Sequence, residues 1–232
     1  MKKIPFGDYL YEFHCDPKLT ESALDYLLNS EIYWTNTVPD RVESNDAGYM
    51  DENKLVPYYH EELFNWIQEC IDEVVADELP QAKLAICDSW VTRSKFGQAR
   101  IHPHHHINSV LSGIFYFTSH PKTNTIFYKN KPLALMMEKM FCHVNDVEFR
   151  RQFYKVKEQF SSESIAGKLI IFHSNIDHSI SVNKDLAKTR YTLAFNTYPT
   201  GEIYPSVSSG RLEMNIKTSK ERYLEYTSKK EQ

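Results

Sequence analysis

Apolar residues fall at 23, 24, 27 and 28 within the stretch 19–28, a spacing that closes one face of a short amphipathic helix with Thr20 as its cap candidate. A longer helix is predicted over 58–79, where apolar positions 59, 63, 66, 67, 70, 71, 74 and 75 share a face and Pro80 ends the run. Between them, from 29 to 57, no period holds, and Pro39, Asp40, Asn45, Asp46 and Gly48 break the chain into turns. After Pro80 the pattern changes. Residues 83–93 are rich in β-formers and read as a strand, with Phe96-Gly97 as the turn that follows. The stretch 112–118 reads as a central strand, and 123–128 as its antiparallel partner across a turn containing Pro121. Residues 133–141 and 147–160 have helical spacing and read as an insertion or lid at about 130–165. Two further strands are predicted at 167–172 and 189–196, joined through a polar turn at 183–188.

Helices come first, strands after, and no strands and helices alternate at βαβ spacing. That order predicts a mainly β protein, an antiparallel sandwich or jelly roll with flanking helices. At 232 residues one well-buried domain is expected, with a helical and loop portion at 1–82, a β core at 83–200 and a polar tail at 201–232. A net charge of −4 gives no electrostatic footprint for nucleic acid, and no run of about 18 apolar residues is present to span a membrane. Cys15, Cys70, Cys87 and Cys142 are far apart with no C-x-x-C pair, so buried thiols in a reducing cytoplasm are expected.

Candidate chemistry gathers in the stretch 100–117, which places His102, His104, His105 and His106 within five positions and then enters an apolar strand. Imidazole is the commonest neutral metal ligand, and residues two apart on an extended segment point to one side, so His102, His104 and His106 can aim at one point while His105 points away. Alone, such a cluster equally describes solvated histidines. A second signal is His178, which follows an apolar strand and a short loop as a third ligand would; two ligands from one strand and one from a distant strand make a facial triad with open positions. The third is Arg190 in an apolar, β-prone segment with Thr192 on its face. A buried guanidinium needs an anion, either an internal carboxylate or a ligand such as a dicarboxylate gripped bidentately.

The blocks His-x-His, Asn-Ser-x-x-Ser-Gly-x-x-Tyr (108–116), Gly-x-Leu-x-x-Phe (167–172), His178, and Arg-x-Thr with Ala-Phe-Asn (190–196), with Trp90 and Gly97 upstream, resemble the small 2-oxoglutarate and iron(II)-dependent oxygenases of bacteria and phages. The resemblance spans about 85–198. It implies a double-stranded β-helix (jelly-roll) core, His104 and His178 as iron(II) ligands, and Arg190 with Thr192 holding 2-oxoglutarate as cosubstrate. It further implies dioxygen as oxidant, succinate as product, and hydroxylation of an unactivated C–H bond; the sequence leaves the prime substrate open among a small molecule, a peptide and a nucleotide.

The wider superfamily carries His-x-Asp or His-x-Glu where this chain has His104-His105-His106, so His106 takes the carboxylate's place; a register through His102 and His104 is the alternative. His173 stands where the resemblance leads one to expect proline, as a surface histidine or a partner of the site. Asp177 reads as a turn residue or an outer acceptor, since neighbours on an extended segment face opposite ways. Two rival readings remain: a three-histidine zinc hydrolase or lyase, and a non-catalytic jelly-roll binding module.

Overall fold

A computed structural model describes residues 1–6, 8–36, 46–49, 60–78, 80, 82–98, 100–107, 109–129, 158–203 and 212–214, together with 221 and 228. The chain opens with β1 (Lys2–Phe6) and β2 (Asp8–His14), which pair as an antiparallel hairpin that the sequence pattern does not announce. Helix α1 (Pro17–Asn29) follows. Its cap is Asp16 rather than Thr20: the Asp16 carboxylate accepts from the Lys18 and Leu19 backbone N–H groups, Pro17 sits where no N–H is needed, and Thr20 is buried one turn on. In the region read as turns, β3 (Tyr33–Asn36) and β4 (Asp46–Tyr49) pair and extend a sheet. Helix α2 (Glu61–Glu78) realises the predicted face with Leu63, Ile67, Cys70, Ile71, Val74 and Val75 buried.

The core strands are β5 (Leu84–Ser94), β6 (Arg100–His104), β7 (Leu111–Tyr116), β8 (His120–Tyr128), β9 (Gln159–Ser164), β10 (Lys168–His173), β11 (Asp177–Ile180) and β12 (Arg190–Pro199). A short pair, β13 (Gly201–Ile203) and β14 (Leu212–Met214), lies in the region expected to be a tail. Eight strands form one sheet in the order β1-β2-β10-β7-β12-β5-β4-β3, and four form a second in the order β6-β11-β8-β9. The expected pairing of 112–118 with 123–128 is therefore incorrect. β7 pairs with β10 and β12, while β8 pairs with β11 and β9 in the other sheet. The chain crosses between sheets at Thr118 and Ser119, and Pro121 lies inside β8 rather than in a turn. The predicted insertion also begins too late a return to the core: Gln159–Ser164 is a ladder strand, and the helical spacing read over 133–141 and most of 147–160 lies outside the described residues.

Alternation along the central strands divides two apolar layers. Leu169, Ile171, Phe115 and Leu193 face the helices, where they pack with Leu27, Ile67, Ile71 and Val74. Ile170, Phe172, Ile114 and Tyr116 face the smaller sheet and pack with Phe127 and Ile176. Both faces of β7 and β10 are thus covered, which is why these strands read as unbroken apolar runs. Polar side chains inside this second layer need a reason, and they are concentrated at one end of it.

Candidate metal centre

The ligand-capable nitrogens of His104, His106 and His178 all lie within 4.8 Å of one another. β6 and β11 place two of them: His104 and His178 are direct partners in the antiparallel ladder, with ring centroids 4.3 Å apart. His106 follows just after β6, where its backbone N–H donates to the Ser174 carbonyl at 2.8 Å and its ring lies 5.3 Å from that of His178. The ladder is irregular between His178 and Ile180, a common feature where a sheet re-aims side chains beside a site. His178 Nδ1 lies 3.1 Å from the Ile176 carbonyl oxygen, which can only accept. Nδ1 therefore carries the proton, and Nε2 keeps its lone pair for a metal. Trp90 packs on His106 and Phe172 on His178, walling the cluster with apolar surface.

The side chain of His102 lies outside the described residues. His105 is not in the cluster; its Nδ1 lies 2.9 Å from Asp177 Oδ1. Asp177 is buried and engaged by His105, which leaves it an acceptor beside the site rather than the missing carboxylate ligand. His173 is no bare surface residue either, since its Nε2 bonds Glu78 Oε2 at 2.7 Å and fastens the end of β10 to the end of α2.

Arg190 is fully buried and lines the same cavity as the three histidines, together with Thr192. Its Nε donates to Ser164 Oγ at 2.8 Å and its Nη2 to Thr125 Oγ1 at 3.0 Å, while Nη1 has no hydrogen-bond partner among the described residues. Among the described residues no carboxylate forms an ion pair with it. Burial pushes the guanidinium pKa below its ordinary value, with Tyr116 opposing the shift. A second cation shares this layer: Lys168 Nζ and Arg190 Cζ lie 5.3 Å and 5.2 Å from the Tyr116 ring centroid. Burial lowers the Lys168 pKa as well, against the electrostatic pull of Glu12 and Glu163. Two buried cations and an unsatisfied N–H make this end of the layer receptive to an anion. The Thr192 hydroxyl is 2.6 Å from that of Thr92 across the β5–β12 ladder.

Lys168, Ser164 and Thr125 were missed in the sequence. Lys168 carried a signal, a charged residue in register with Ile170 and Phe172 at the head of an apolar strand. Ser164 and Thr125 carried none. Asn196, also missed as a site residue, places its side-chain amide 3.4 Å from His106 Nδ1.

The free space over the histidines is about 40 Å³, so a molecule of 2-oxoglutarate size enters only if the surrounding side chains move apart. A larger groove of about 500 Å³ lies between α2 and β5, lined by residues such as Phe64, Gln68, Val75, Ala82 and Ile86, with no ligand cluster in it.

Residues 88–196 match the family described as "Putative 2OG-Fe(II) oxygenase". No curated protein matches the sequence. Among solved structures, the chain is similar to SnoN, the non-heme α-ketoglutarate-dependent epimerase from nogalamycin biosynthesis, with 12% identity and a TM-score of 0.60 over 91% of this chain and 90% of that one. SnoN is also solved with Fe3+, α-ketoglutarate and nogalamycin RO. This chain is also similar to the prolyl hydroxylase of Trichoplax adhaerens in complex with a hypoxia inducible factor peptide fragment, at 10% identity and TM-score 0.55, covering 82% of this chain and 83% of that one. HygX from Streptomyces hygroscopicus, with nickel, 2-oxoglutarate and hygromycin B bound, gives 11% identity and TM-score 0.54, covering 84% of both chains. At these identities the likeness establishes the jelly-roll fold. Residues 88–196 thus resemble the 2OG-Fe(II) oxygenases over somewhat less than half of the chain, and two of the structures that share its fold were solved with α-ketoglutarate or 2-oxoglutarate and a metal ion bound.

Proposed function

We propose that the chain is a 2-oxoglutarate-dependent hydroxylase in which His104, His106 and His178 hold iron(II), and Arg190 with Thr192 holds the cosubstrate. The observation that carries this reading is the meeting, in one cavity, of three converging imidazoles and a buried guanidinium with an unpaired Nη1. The donor set fits the ion, since imidazole suits iron and three neutral ligands leave positions open. Bound iron with 2-oxoglutarate and dioxygen supplies the oxidation, 2-oxoglutarate being converted to succinate and carbon dioxide.

The chain's residues then divide the remaining work. His178 offers Nε2 because the Ile176 carbonyl holds its other nitrogen protonated. Arg190, aligned by Ser164 and Thr125, meets the far carboxylate of the cosubstrate with Nη1 and so fixes its direction in the layer. The Thr192 hydroxyl, which shares a 2.6 Å contact with that of Thr92, adds a hydrogen bond to the same group. Trp90, Ile114, Phe172 and Ile180 line the cavity and exclude water. With three imidazoles and no carboxylate ligand, the protein adds no negative charge to the centre, which makes the dianionic cosubstrate its main charge compensation. A small molecule or a peptide is the substrate class that an open, apolar-walled position of this kind suits.

Anaerobic addition of iron(II) and then 2-oxoglutarate should produce the charge-transfer absorption of a chelated keto acid, and turnover should release succinate. Full iron loading without that absorption would overturn the proposal.

A further inference from the structure

We propose that Asn196 is the positioning residue of the third ligand: its side-chain amide oxygen accepts from His106 Nδ1–H and turns His106 Nε2 to the metal. The inference rests on the metal centre proposed above and deepens it.

Asn196 lies at the end of the buried part of β12, beside an irregularity in the β5–β12 ladder between Asn196 and Thr197. As placed, its amide Nδ2 is 3.4 Å from His106 Nδ1, and its Oδ1 accepts from Ser112 Oγ at 2.8 Å; the proposal exchanges the two amide atoms. The oxygen and nitrogen of an amide have nearly the same shape, so the hydrogen-bond network decides which is which. If the nitrogen faced His106, Nδ1 would have to accept, the ring proton would sit on Nε2, and that nitrogen could not ligate. Nδ1 itself would then be occupied by the amide. With the nitrogen facing His106, Ser112 spends its one hydrogen on the amide oxygen and Ser174 spends its own on Ser109, so the 2.9 Å Ser112–Ser174 contact has no hydrogen in it; with the oxygen facing His106, every contact in the chain has one. In the exchanged orientation Asn196 Nδ2 donates to Ser112 Oγ, which frees the Ser112 hydroxyl to donate to Ser174 Oγ at 2.9 Å, and Ser174 donates to Ser109 Oγ at 2.8 Å. Ser109 ends the chain on the carbonyls of Leu111 and Thr197, at 2.9 and 3.1 Å, which can only accept. The same Ser174 receives the His106 backbone N–H on its carbonyl, so one network fixes both the backbone and the ring of His106.

The network answers the departure at His106. A carboxylate ligand needs no tautomer to be chosen, whereas an imidazole in its place ligates through one nitrogen only while the other is held protonated.

The test is cobalt(II) binding to metal-free protein, followed by its visible absorption, on wild type, Asn196→Leu, Asn196→Asp and His106→Ala. Asn196→Leu removes the acceptor and should weaken cobalt(II) by about 10- to 100-fold. Asn196→Asp keeps an acceptor for Nδ1–H, and the Ser112 hydroxyl can reverse to donate to it; affinity should stay at or above wild type with an unchanged cobalt spectrum. Unaltered affinity in Asn196→Leu, or loss in Asn196→Asp with the fold intact by thermal melting, would overturn the proposal. Should Asn196→Leu fail to fold, the Asp variant alone decides by the same criterion. If His106→Ala binds cobalt(II) as wild type does, the three-histidine centre itself fails, an outcome distinct from failure at Asn196.

Discussion

His104 and His178 sit directly opposite each other across the β6–β11 ladder, so the two strands of the smaller sheet fix their separation. Directly opposed residues on an antiparallel pair share a face, and here the shared face is the interior. Two of the three proposed ligands are thereby set by backbone pairing, while His106 depends on the loop after β6 and on side-chain contacts. His104→Ala and His178→Ala should each reduce iron(II) affinity by more than the roughly 100-fold that an outer partner is worth. Calorimetric titration under nitrogen measures it. Wild-type affinity in either variant would remove that histidine from the metal shell.

Arg190 donates to two hydroxyls, and among the described residues its Nη1 has no hydrogen-bond partner, the atom proposed to meet the cosubstrate. Truncating one member of a buried charge-assisted pair costs about 2 to 5 kcal/mol. Arg190→Met should therefore raise the concentration of 2-oxoglutarate needed for half-maximal succinate release by roughly 30-fold or more. Iron affinity, measured without cosubstrate, should stay near wild type. Arg190→Lys should recover little, because an ammonium cannot serve Ser164, Thr125 and a carboxylate with the planar fork of a guanidinium. An unchanged cosubstrate requirement in Arg190→Met would detach the arginine from the ligand.

The parts legible in the sequence were those that periodicity or unusual chemistry marks. Helix α2, the strands carrying Ile114, Ile171 and Leu193, and the convergence of His104 with His178 followed from spacing alone or from the motif order. What was not legible depended on long-range pairing. The β1–β2 hairpin has a polar outer edge and pairs with β10, far along the chain, so its register is a tertiary decision. The placement of 123–128 in the second sheet turned on which neighbours β7 had already taken, and short separation in sequence favoured the wrong partner. Asp16 outcompeted Thr20 as cap because Pro17 starts the helix earlier than the apolar period suggests. At the site, Asn196 looked like one letter of a motif until the structure showed which imidazole nitrogen it touches.

Gly113 is opposite Phe195 in the β7–β12 ladder, and a Cβ built on it would fall 2.1 Å from the Phe195 ring. The close approach lets the ring lie over the strand beside the cavity, where both residues form part of the wall. Gly113→Ala should cost about 1 to 3 kcal/mol of stability, as overpacked cores do. Urea unfolding checks the loss. Adding Phe195→Leu should return part of it, since the smaller side chain clears the new methyl group; a double variant no more stable than the sum of the single losses would place the cost elsewhere.

Cys70 is buried on the core face of α2, and burial, with Glu73 and Glu69 adding to it, pushes its thiol from an ordinary 9.0 up to about 12. The folded state thus holds this proton through a range in which the unfolded chain releases it. Stability from this group is complete below about pH 9 and falls as pH rises from there toward 12, because the native state binds more protons than the unfolded state in that window. Cys70→Ala should leave a smaller cavity but flatten the alkaline limb of the stability curve between those values. Denaturant unfolding at a series of pH values compares the two slopes. The thiol should also resist alkylation at pH 8 in the folded protein and react promptly once unfolded, because the thiolate is the reactive form. Equal alkylation rates in the native and denatured states would show that α2 does not protect it.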